Sequence, residues 1–485
     1  MISPAYLSVV AALASCCGAF SNCSFGAQYA NASYKSVDVV IVGGGSSGSN
    51  AAVHLKDAGL DVLVVEKNTQ LGGMVNSWTD PSTGTVYDYG VAAYTNYTGT
   101  LDFFARLGIN VTTASSLAVE STYVDMSTGL AINYTAPSLT DEVVALEKYY
   151  NISSQYADLY LPSYANWPAP TDIPEDLLLP FRDFAQKYDL DAALFLLWWT
   201  IVSGLGNMLD APTLYVFQTF GPTTAAAFLG EAPEWVPESR RNQDIYDKIA
   251  EILGAPAVMT NSLVVSAQRL ADNDGVTLVV EDQTTMAYTI VNAKRLVMAI
   301  EPTASNVEPF DMDTKETAVF AKGNWSAVNT GIITHPSLPV DGQINNLPAA
   351  AENGNYYAYP TVPFVDYFSY IGDNRWQVIV GSWYGITDVE AQAIASEAIE
   401  KMAAAGTIPA TNGTKMEVLS WSNHGAMDMR VTADDLKAGY IQEQYSLQGY
   451  RSTYWTGAAF SSQLSTFLWA YNEQYLVPLV ATDLT

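Results

Sequence analysis

A short apolar run followed by a glycine-rich turn constrains the fold of this chain more than any other feature. Residues 37–42 read Val-Asp-Val-Val-Ile-Val, and residues 43–48 read Gly-Gly-Gly-Ser-Ser-Gly. A continuous apolar run of this length is typical of a strand buried in a parallel sheet. Residues with helical spacing follow, ended by Gly59, and then a second apolar run at 61–65. The pattern predicts a strand–turn–helix–strand unit.

The glycine spacing gives this unit a function. Gly43 permits a tight turn, Gly45 lets a pyrophosphate approach the backbone, and Gly48 lets the helix pack closely on the strand. The first helical turn, which contains Ser47, directs free N–H groups and the positive end of the helix dipole at a phosphate. Glu66 follows the second strand, where a carboxylate accepts hydrogen bonds from ribose hydroxyls. The unit therefore predicts a dinucleotide site.

The N-terminal residues predict export. Residues 2–19 carry no charged side chain and end in Cys17-Gly18-Ala19, which is typical of a signal peptide, 1–19, with its cleavage site. A membrane anchor is the alternative. Glycan-accepting Asn-x-Ser/Thr sequons occur at Asn22, Asn31, Asn96, Asn110, Asn133, Asn151, Asn324 and Asn412. We therefore predict a secreted, N-glycosylated protein.

Composition narrows the classes of partner. The chain has 21 Lys plus Arg against 50 Asp plus Glu, a net charge of −29 that repels the phosphates of nucleic acids and anionic lipids. Its three cysteines, Cys16, Cys17 and Cys23, lie near the N-terminus, so no disulfide framework spans the body of the chain. Apolar residues 192–209 reach the lower limit for a membrane span, but a buried helix or a cavity wall explains them equally well. We predict neither a nucleic-acid partner nor a stable membrane span.

A flavin is favoured over a nicotinamide cofactor. A second glycine fingerprint is missing, because Gly204-Leu205-Gly206 lacks a third glycine. An exported enzyme has little access to nicotinamides, whereas dioxygen reoxidises a tightly held flavin in place. We therefore expect FAD as the cofactor and dioxygen as the electron acceptor. No metal site is expected, since the three histidines are scattered and the acidic residues lack ligand spacing.

Sequence patterns typical of strands occur again far along the chain from the first unit. Residues 256–302 alternate in the manner of strands, and 454–456 form a last apolar strand before a helical tail. We predict an α/β fold in which a Rossmann-like FAD-binding domain is assembled discontinuously from 36–100, 240–302 and 425–485. An inserted α+β substrate domain would comprise 101–239 and 303–424.

Three groups of motifs carry a family resemblance. They are Leu71-Gly72-Gly73 with Asp88-Tyr89-Gly90, the middle segment 242–302, and Tyr454-Trp455-Thr456-Gly457-Ala458-Ala459 leading to Leu464-Ser465-Thr466-Phe467. In this order they resemble the FAD-dependent amine-oxidase superfamily, and most of all its fungal secreted members of the beta-cyclopiazonate dehydrogenase kind. The resemblance implies an FAD-dependent oxidoreductase.

Together, the first unit and the resemblance imply a set of FAD contacts. The backbone of Leu263 and Val264 would hold the adenine, Gly457 and Ala458 would lie near the pyrophosphate or ribityl chain, and residues 465–467 would face the isoalloxazine. The full set is Gly43, Gly45, Ser47, Gly48, Glu66, Lys67, Gly72, Gly73, Met74, Leu263, Val264, Gly457, Ala458, Ser465, Thr466 and Phe467.

The chain departs from the family pattern at particular positions. Gln70 and Met74 stand where the family usually has arginines, and Ala458 stands where better-known members carry a glutamate. Many amine oxidases place a lysine after the position of Pro302, and this chain has none there. These departures argue against an amine as substrate.

Three residues are candidates for the catalytic site. His424 precedes the return of the chain to the predicted FAD domain, and Tyr454 and Trp383 could wall a cavity for a flat substrate. The alternatives are a loop histidine and core aromatics. A Gly-x-Ser-x-Gly nucleophile elbow does not occur, which argues against serine chemistry.

The function expected from these features is hydride transfer from an apolar or aromatic small molecule to FAD, with reoxidation by dioxygen. One alternative is an FAD-dependent isomerase of a fatty acid or isoprenoid, in which the hydride leaves and returns. Another is a flavin-binding glycoprotein without turnover.

Overall fold

The computed structural model describes residues 29–485 except 116, 118, 202–204, 271 and 272. The expected signal peptide, the three cysteines, the sequon at Asn22 and Gly204 of the incomplete fingerprint lie outside the described residues.

The strands are β1 (Ser33–Val42), β2 (Val62–Val65), β3 (Ser77–Thr79), β4 (Val86–Asp88), β5 (Tyr94–Thr95), β6 (Val111–Thr113), β7 (Glu120–Asp125), β8 (Leu130–Ala131), β9 (Glu234–Pro237), β10 (Val258–Met259), β11 (Ser262–Arg269), β12 (Val276–Asp282), β13 (Tyr288–Met298), β14 (Asn324–Thr334), β15 (Gly342–Asn346), β16 (Phe364–Gly372), β17 (Arg375–Trp383), β18 (Glu417–Arg430) and β19 (Thr453–Trp455).

The α-helices are α1 (Ser46–Asp57), α2 (Thr100–Leu107), α3 (Leu139–Ser154), α4 (Ala157–Tyr160), α5 (Glu175–Leu178), α6 (Phe181–Lys187), α7 (Leu194–Ile201), α8 (Thr213–Thr219), α9 (Pro222–Phe228), α10 (Gln243–Leu253), α11 (Ala304–Val307), α12 (Thr314–Phe320), α13 (Asp388–Ala405), α14 (Ala433–Lys437), α15 (Tyr440–Tyr445), α16 (Ser465–Tyr471) and α17 (Val477–Leu484). A π-helical turn, Asn472–Leu476, joins the last two.

The first sheet has the order β10-β2-β1-β13-β12-β11, and β19 also pairs with β13. Strands β10, β2, β1, β13 and β19 run parallel, so Val42, Val65, Met298 and Trp455 end at one edge. Consecutive side chains of residues 39–42 and 62–65 are buried, so the sheet is covered on both faces there, with α1 packed against β1 and β2 on one of them. Burial on both faces explains the uninterrupted apolar runs. The sheet is collected from both ends and the middle of the chain, which confirms the predicted discontinuous α/β fold.

A second sheet has the order β18-β14-β17-β16-β15-β7-β8 and is largely antiparallel. Helix α13 packs its alanine-rich face on this sheet and forms a core with the buried residues Ile333, Phe368 and Val378. Helices α3 to α9 fill the space beside it, and Trp198 and Phe217 lie in their apolar core. No helix in the described part of the chain is long and apolar enough to cross a membrane.

The boundary between the two predicted domains remains a prediction. Arg269 of β11 is fully buried and makes a two-point ion pair with Glu316 of α12, at 2.6 and 2.8 Å. Helix α12 lies in the segment assigned to the substrate domain, yet it packs against the first sheet. The ring of Phe320 also contacts Trp455 of β19.

Candidate cofactor site

The turn after β1 requires glycine at two positions, one for its backbone conformation and one for close packing. Gly43 has a φ of +102°, which a side chain rarely adopts, and its N–H donates to the carbonyl of Val65 at 2.9 Å. A Cβ on Gly48 would lie 1.9 Å from the carbonyl oxygen of Gly43. The first turn of α1 therefore packs directly on the loop, as expected from the sequence. Gly48 makes this contact and does not line the ligand cavity.

Glu66 is buried at the end of β2 and braces the same turn. One carboxylate oxygen accepts the N–H of Gly44 at 2.6 Å, and the other accepts the N–H of Asn68 at 2.8 Å. The carbonyl of Glu66 accepts the N–H of Ser262 at 2.9 Å, which places the start of β11 beside the acid. These contacts orient the carboxylate in the cavity wall, where its remaining lone pairs can accept ligand hydroxyls.

The loop that contains Gly72, Gly73 and Met74 lies across the glycine turn. The N–H of Gly72 donates to the carbonyl of Gly44 at 2.9 Å. A Cβ on Gly73 would lie 2.9 Å from the Cα of Gly45, so two glycines face each other where the backbones approach. This approach leaves the backbone of both loops open to a ligand.

A cavity of about 720 Å³ begins at these loops and extends to the second sheet. This is within the range of about 300–1,000 Å³ common for ligand and cofactor sites. Its predicted lining residues are Gly43, Gly45, Ser47, Glu66, Lys67, Gly72, Gly73, Met74, His424, Gly457, Ala458 and Ser465, and others include Asn68, Val75, Val91, Ile300, Glu301, Tyr384, Ile386, Asn423, Gln463 and Leu468.

The cavity is assembled by strand ends. Parallel strands of one sheet bring their carboxyl ends to one edge, and the residues that follow β1, β2, β13 and β19 all reach the cavity from there. The opposite wall comes from the segment after β17 and from β18 of the second sheet.

Several residues expected to contact FAD lie outside the cavity lining. Leu263 is 44% exposed on β11 and Val264 is buried in the sheet beside it. The hydroxyl of Thr466 hydrogen-bonds to the hydroxyl of Thr95 at 2.7 Å, and Phe467 packs edge-on against Tyr97. Helix α16 thus presents Ser465 to the cavity and buries the next two side chains.

Of the three catalytic candidates, only His424 lines the cavity. Its Nε2 lies 3.1 Å from Oδ1 of Asn76, an arrangement in which the ring N–H donates. Burial lowers the pKa of His424 to about 4, so the ring is neutral at physiological pH. A neutral ring that donates through Nε2 leaves Nδ1 as an acceptor.

The two aromatic candidates serve other contacts. The hydroxyl of Tyr454 donates to Asp483 at 2.6 Å and lies away from the cavity. Trp383 is half exposed, and the guanidinium of Arg430 lies 5.4 Å from the centre of its ring. In its place the neighbouring residue, Tyr384, lines the cavity and shares a hydrogen bond with Ser305 at 2.8 Å.

Two acids that we did not predict lie close to Ala458. Glu301 lines the main cavity, and burial raises its pKa to about 7. Asp428 is buried at a φ of +47°, and burial raises its pKa to about 6. Asp428 lines a water-sized cavity of about 10 Å³ that shares Ala458 and Gln463 with the main one. Glu301 could have been singled out from the sequence, because it is a charged residue at the end of the apolar run 296–300. No comparable pattern marks Asp428.

Comparisons with known proteins agree with this geometry. The family of NAD(P)-binding Rossmann-like domains matches residues 41–107. The FAD-dependent oxidoreductase pigF of Monascus ruber is 32% identical over 450 residues, which is 92% of each chain. This chain belongs to the FAD-dependent oxidoreductases. The beta-cyclopiazonate dehydrogenase of Aspergillus oryzae, 32% identical over 90% of this chain and 92% of its own, is a relative of the kind that the motifs indicated.

A solved structure shows the same fold. Putrescine oxidase bound to putrescine superposes with a TM-score of 0.61 at 16% identity and covers 93% of this chain and 99% of its own. The predictions of family, fold and cofactor are confirmed, and the chain is an enzyme by its family, which argues against a flavin-binding glycoprotein without turnover.

The residues present fit FAD. The paired glycines at the loop crossing leave a cradle that side chains would fill, and the buried carboxylate of Glu66 suits a ribose. The described residues contain no group of three His, Cys, Asp or Glu side chains placed to hold a metal ion.

Proposed function

We propose that this FAD-dependent oxidoreductase is a secreted dehydrogenase or oxidase of an apolar or aromatic-bearing small molecule, with dioxygen as the electron acceptor. The observation that supports the substrate class is the composition of the cavity lining outside the glycine turn. Val75, Val91, Tyr384, Ile386 and Leu468 contribute apolar surface there, beside the polar side chains of Asn423 and His424. Among the described lining residues the one lysine or arginine is Lys67, which follows Glu66 at the nucleotide loops. Such a wall favours apolar surface over an anion.

The bound FAD would supply a two-electron acceptor for a hydride. The chain's own residues would hold and orient it: the N–H groups at the start of α1 would bind the pyrophosphate, and Glu66 the ribose. The second sheet would close the opposite side and exclude water from the substrate.

His424 would position the substrate. Its ring is neutral and fixed by Asn76, so Nδ1 can accept a hydrogen bond from a substrate N–H or O–H. With a pKa of about 4, His424 would be a weak proton acceptor at neutral pH, which favours orientation over proton transfer.

The test is anaerobic reduction of the bound flavin. Purified holoenzyme is mixed with a panel of alkaloid, amine and lipid compounds, and the flavin band near 450 nm is followed by stopped flow. Bleaching by one compound, followed by peroxide on admitting air, is the expected result. A product of unchanged mass would instead identify an isomerase, and reoxidation that fails in air would refute dioxygen as the acceptor.

The exposure of the sequons supports secretion. The asparagines of the described sequons are all exposed, and so accessible to glycans: Asn31, Asn96, Asn110, Asn133, Asn151, Asn324 and Asn412. Expression with the native N-terminus in a fungal host should place the protein in the medium, with a mass that falls on treatment with peptide N-glycosidase F. Retention in the cell without glycans would refute this part of the proposal.

A further inference from the structure

Two carboxylates, Glu66 and Glu301, line the described cavity. In only one of them do both oxygens accept a hydrogen bond from the protein. Both oxygens of Glu66 accept backbone N–H groups. Glu301 is different, because its Oε2 is buried and makes no hydrogen bond of normal geometry. A buried carboxylate oxygen without a donor is costly unless a ligand supplies one.

The position of Glu301 relates it to the nucleotide turn. The N–H of Ala299 donates to the carbonyl of Val42 at 2.8 Å, and a Cβ on Gly43 would lie 2.6 Å from the carbonyl oxygen of Ala299. Glu301 is two residues further along, or at most about 7 Å of chain. The acid is therefore next to the turn that receives the pyrophosphate.

On its other side, Glu301 faces the segment after β19. Its Oε1 lies 3.9 Å from the place where a Cβ on Gly457 would be. The N–H of Ala458 and the indole of Trp325 each lower the pKa of Glu301, so both groups lie close to the carboxyl. The indole N–H of Trp325 itself makes no hydrogen bond of normal geometry. Protein groups thus surround the carboxyl on these sides, and Glu301 is at the same time one of the residues that line the cavity.

This location selects one part of the cofactor. In FAD the pyrophosphate is joined to the isoalloxazine by a ribityl chain that carries three hydroxyl groups, each a hydrogen-bond donor. With the pyrophosphate at the glycine turn, the Glu301 carboxylate would lie beside these hydroxyls. It would not lie beside the adenosine, whose ribose Glu66 would bind from a different strand. Ala458, the other residue at this place, has no side-chain acceptor.

We propose that the Glu301 carboxylate binds a hydroxyl of the ribityl chain of FAD, and so supplies the acceptor that the side chain of the neighbouring Ala458 lacks. The inference requires FAD binding, which the family establishes, and no part of the proposed substrate, acceptor or secretion.

The test compares FAD with ADP, which shares the nucleotide half of FAD but has no ribityl chain. Holoenzyme is diluted in steps and the fluorescence of released FAD gives its Kd; displacement by ADP gives the Kd for ADP. We expect Glu301→Ala to weaken FAD binding about 10- to 100-fold, the usual value of a hydrogen bond to a charged group, and Glu301→Gln to weaken it less. The Kd for ADP should stay within twofold.

Two comparisons make the result specific. Glu66→Gln should weaken FAD and ADP alike, because Glu66 serves the shared half. The exposed acid Glu308, seven positions along the chain, is a matched control, and Glu308→Gln should change neither. Adding Ala458→Glu to Glu301→Ala should recover part of the FAD affinity, since it returns a carboxylate to the same place.

Two outcomes would overturn the proposal. An unchanged FAD affinity in Glu301→Ala would show that no cofactor group binds there. Equal weakening of FAD and ADP in Glu301→Ala would assign the effect to the fold of the nucleotide half.

Discussion

Gly48→Ala tests whether the close contact between α1 and the glycine turn controls cofactor binding. A new methyl group would lie 1.9 Å from the carbonyl oxygen of Gly43 and 2.9 Å from Cβ of Ala299, so backbone must move. Overpacking of this kind costs about 1–3 kcal/mol. Displacement of α1 also moves the N–H groups that would bind the pyrophosphate, so we expect the FAD affinity to fall at least about 10-fold.

Gly59, at the other end of α1, is the matched control. It has a φ of +87° and no atom lies within 4 Å of a Cβ placed there. Gly59→Ala should therefore cost about 1–2 kcal/mol through backbone strain alone and leave FAD binding unchanged. Urea unfolding curves give the free energies, and FAD release on dilution gives the affinities. The reasoning fails if Gly48→Ala binds FAD as tightly as the unchanged protein, or if both variants lose affinity equally.

Three further predictions concern buried charges. Glu66→Gln replaces an acceptor of two backbone N–H groups and should raise the Kd for FAD about 5- to 100-fold, measured by FAD release; an unchanged Kd would exclude Glu66 as a ribose ligand. Arg269→Met leaves Glu316 buried without its cation and should lower the free energy of unfolding by about 3–5 kcal/mol, and adding Glu316→Gln should recover part of the loss; a loss below 1 kcal/mol would contradict the buried ion pair. The pKa of Asp428, about 6, lies above that of an unfolded aspartate, so folding favours its protonated form and its ionisation lowers stability as pH rises from about 4 to 6. Asparagine adopts the same left-handed backbone conformation as aspartate. Asp428→Asn should therefore raise the free energy of unfolding by about 2–3 kcal/mol at pH 8 and have no stabilising effect at pH 3.5. Equal gains at both pH values would refute the raised pKa of Asp428.

The nucleotide half of the site was largely predictable because its signals are local. Gly43, Gly48 and Glu66 lie in one strand–turn–helix–strand unit, and both the hydrogen bond from Gly44 to Glu66 and the close approach of Gly48 to Gly43 stay within that unit. Gly59 ends α1 where its positive φ was expected to be needed. The end of β1, residues 39–42, is apolar throughout, as is typical of a buried strand in a parallel sheet, so this strand could be predicted without knowing its neighbours.

The part of the site away from the glycine turn could not be predicted from local sequence patterns. Tyr454 and Trp383 are aromatic, and aromatic residues suit a core, a surface stack or a cavity wall equally well. Tyr454 pairs with Asp483 because the C-terminal helix α17 packs near β19, and that contact joins elements that no local pattern connects. Glu301 showed only as a charge at a strand end, and its two neighbours, Trp325 and Ala458, come from other segments.

The sequence by itself predicted a dinucleotide site, because glycine geometry and strand hydrophobicity are properties of short segments, and the resemblance of its motifs indicated the family. Only the tertiary structure decided which acids have a buried carboxylate oxygen without a hydrogen bond, and which residues of the second sheet meet the nucleotide loops. The reason is physical: burial and the loss of hydrogen-bond partners depend on every element packed around a group, and for Glu301 and Asp428 those elements are far apart along the chain.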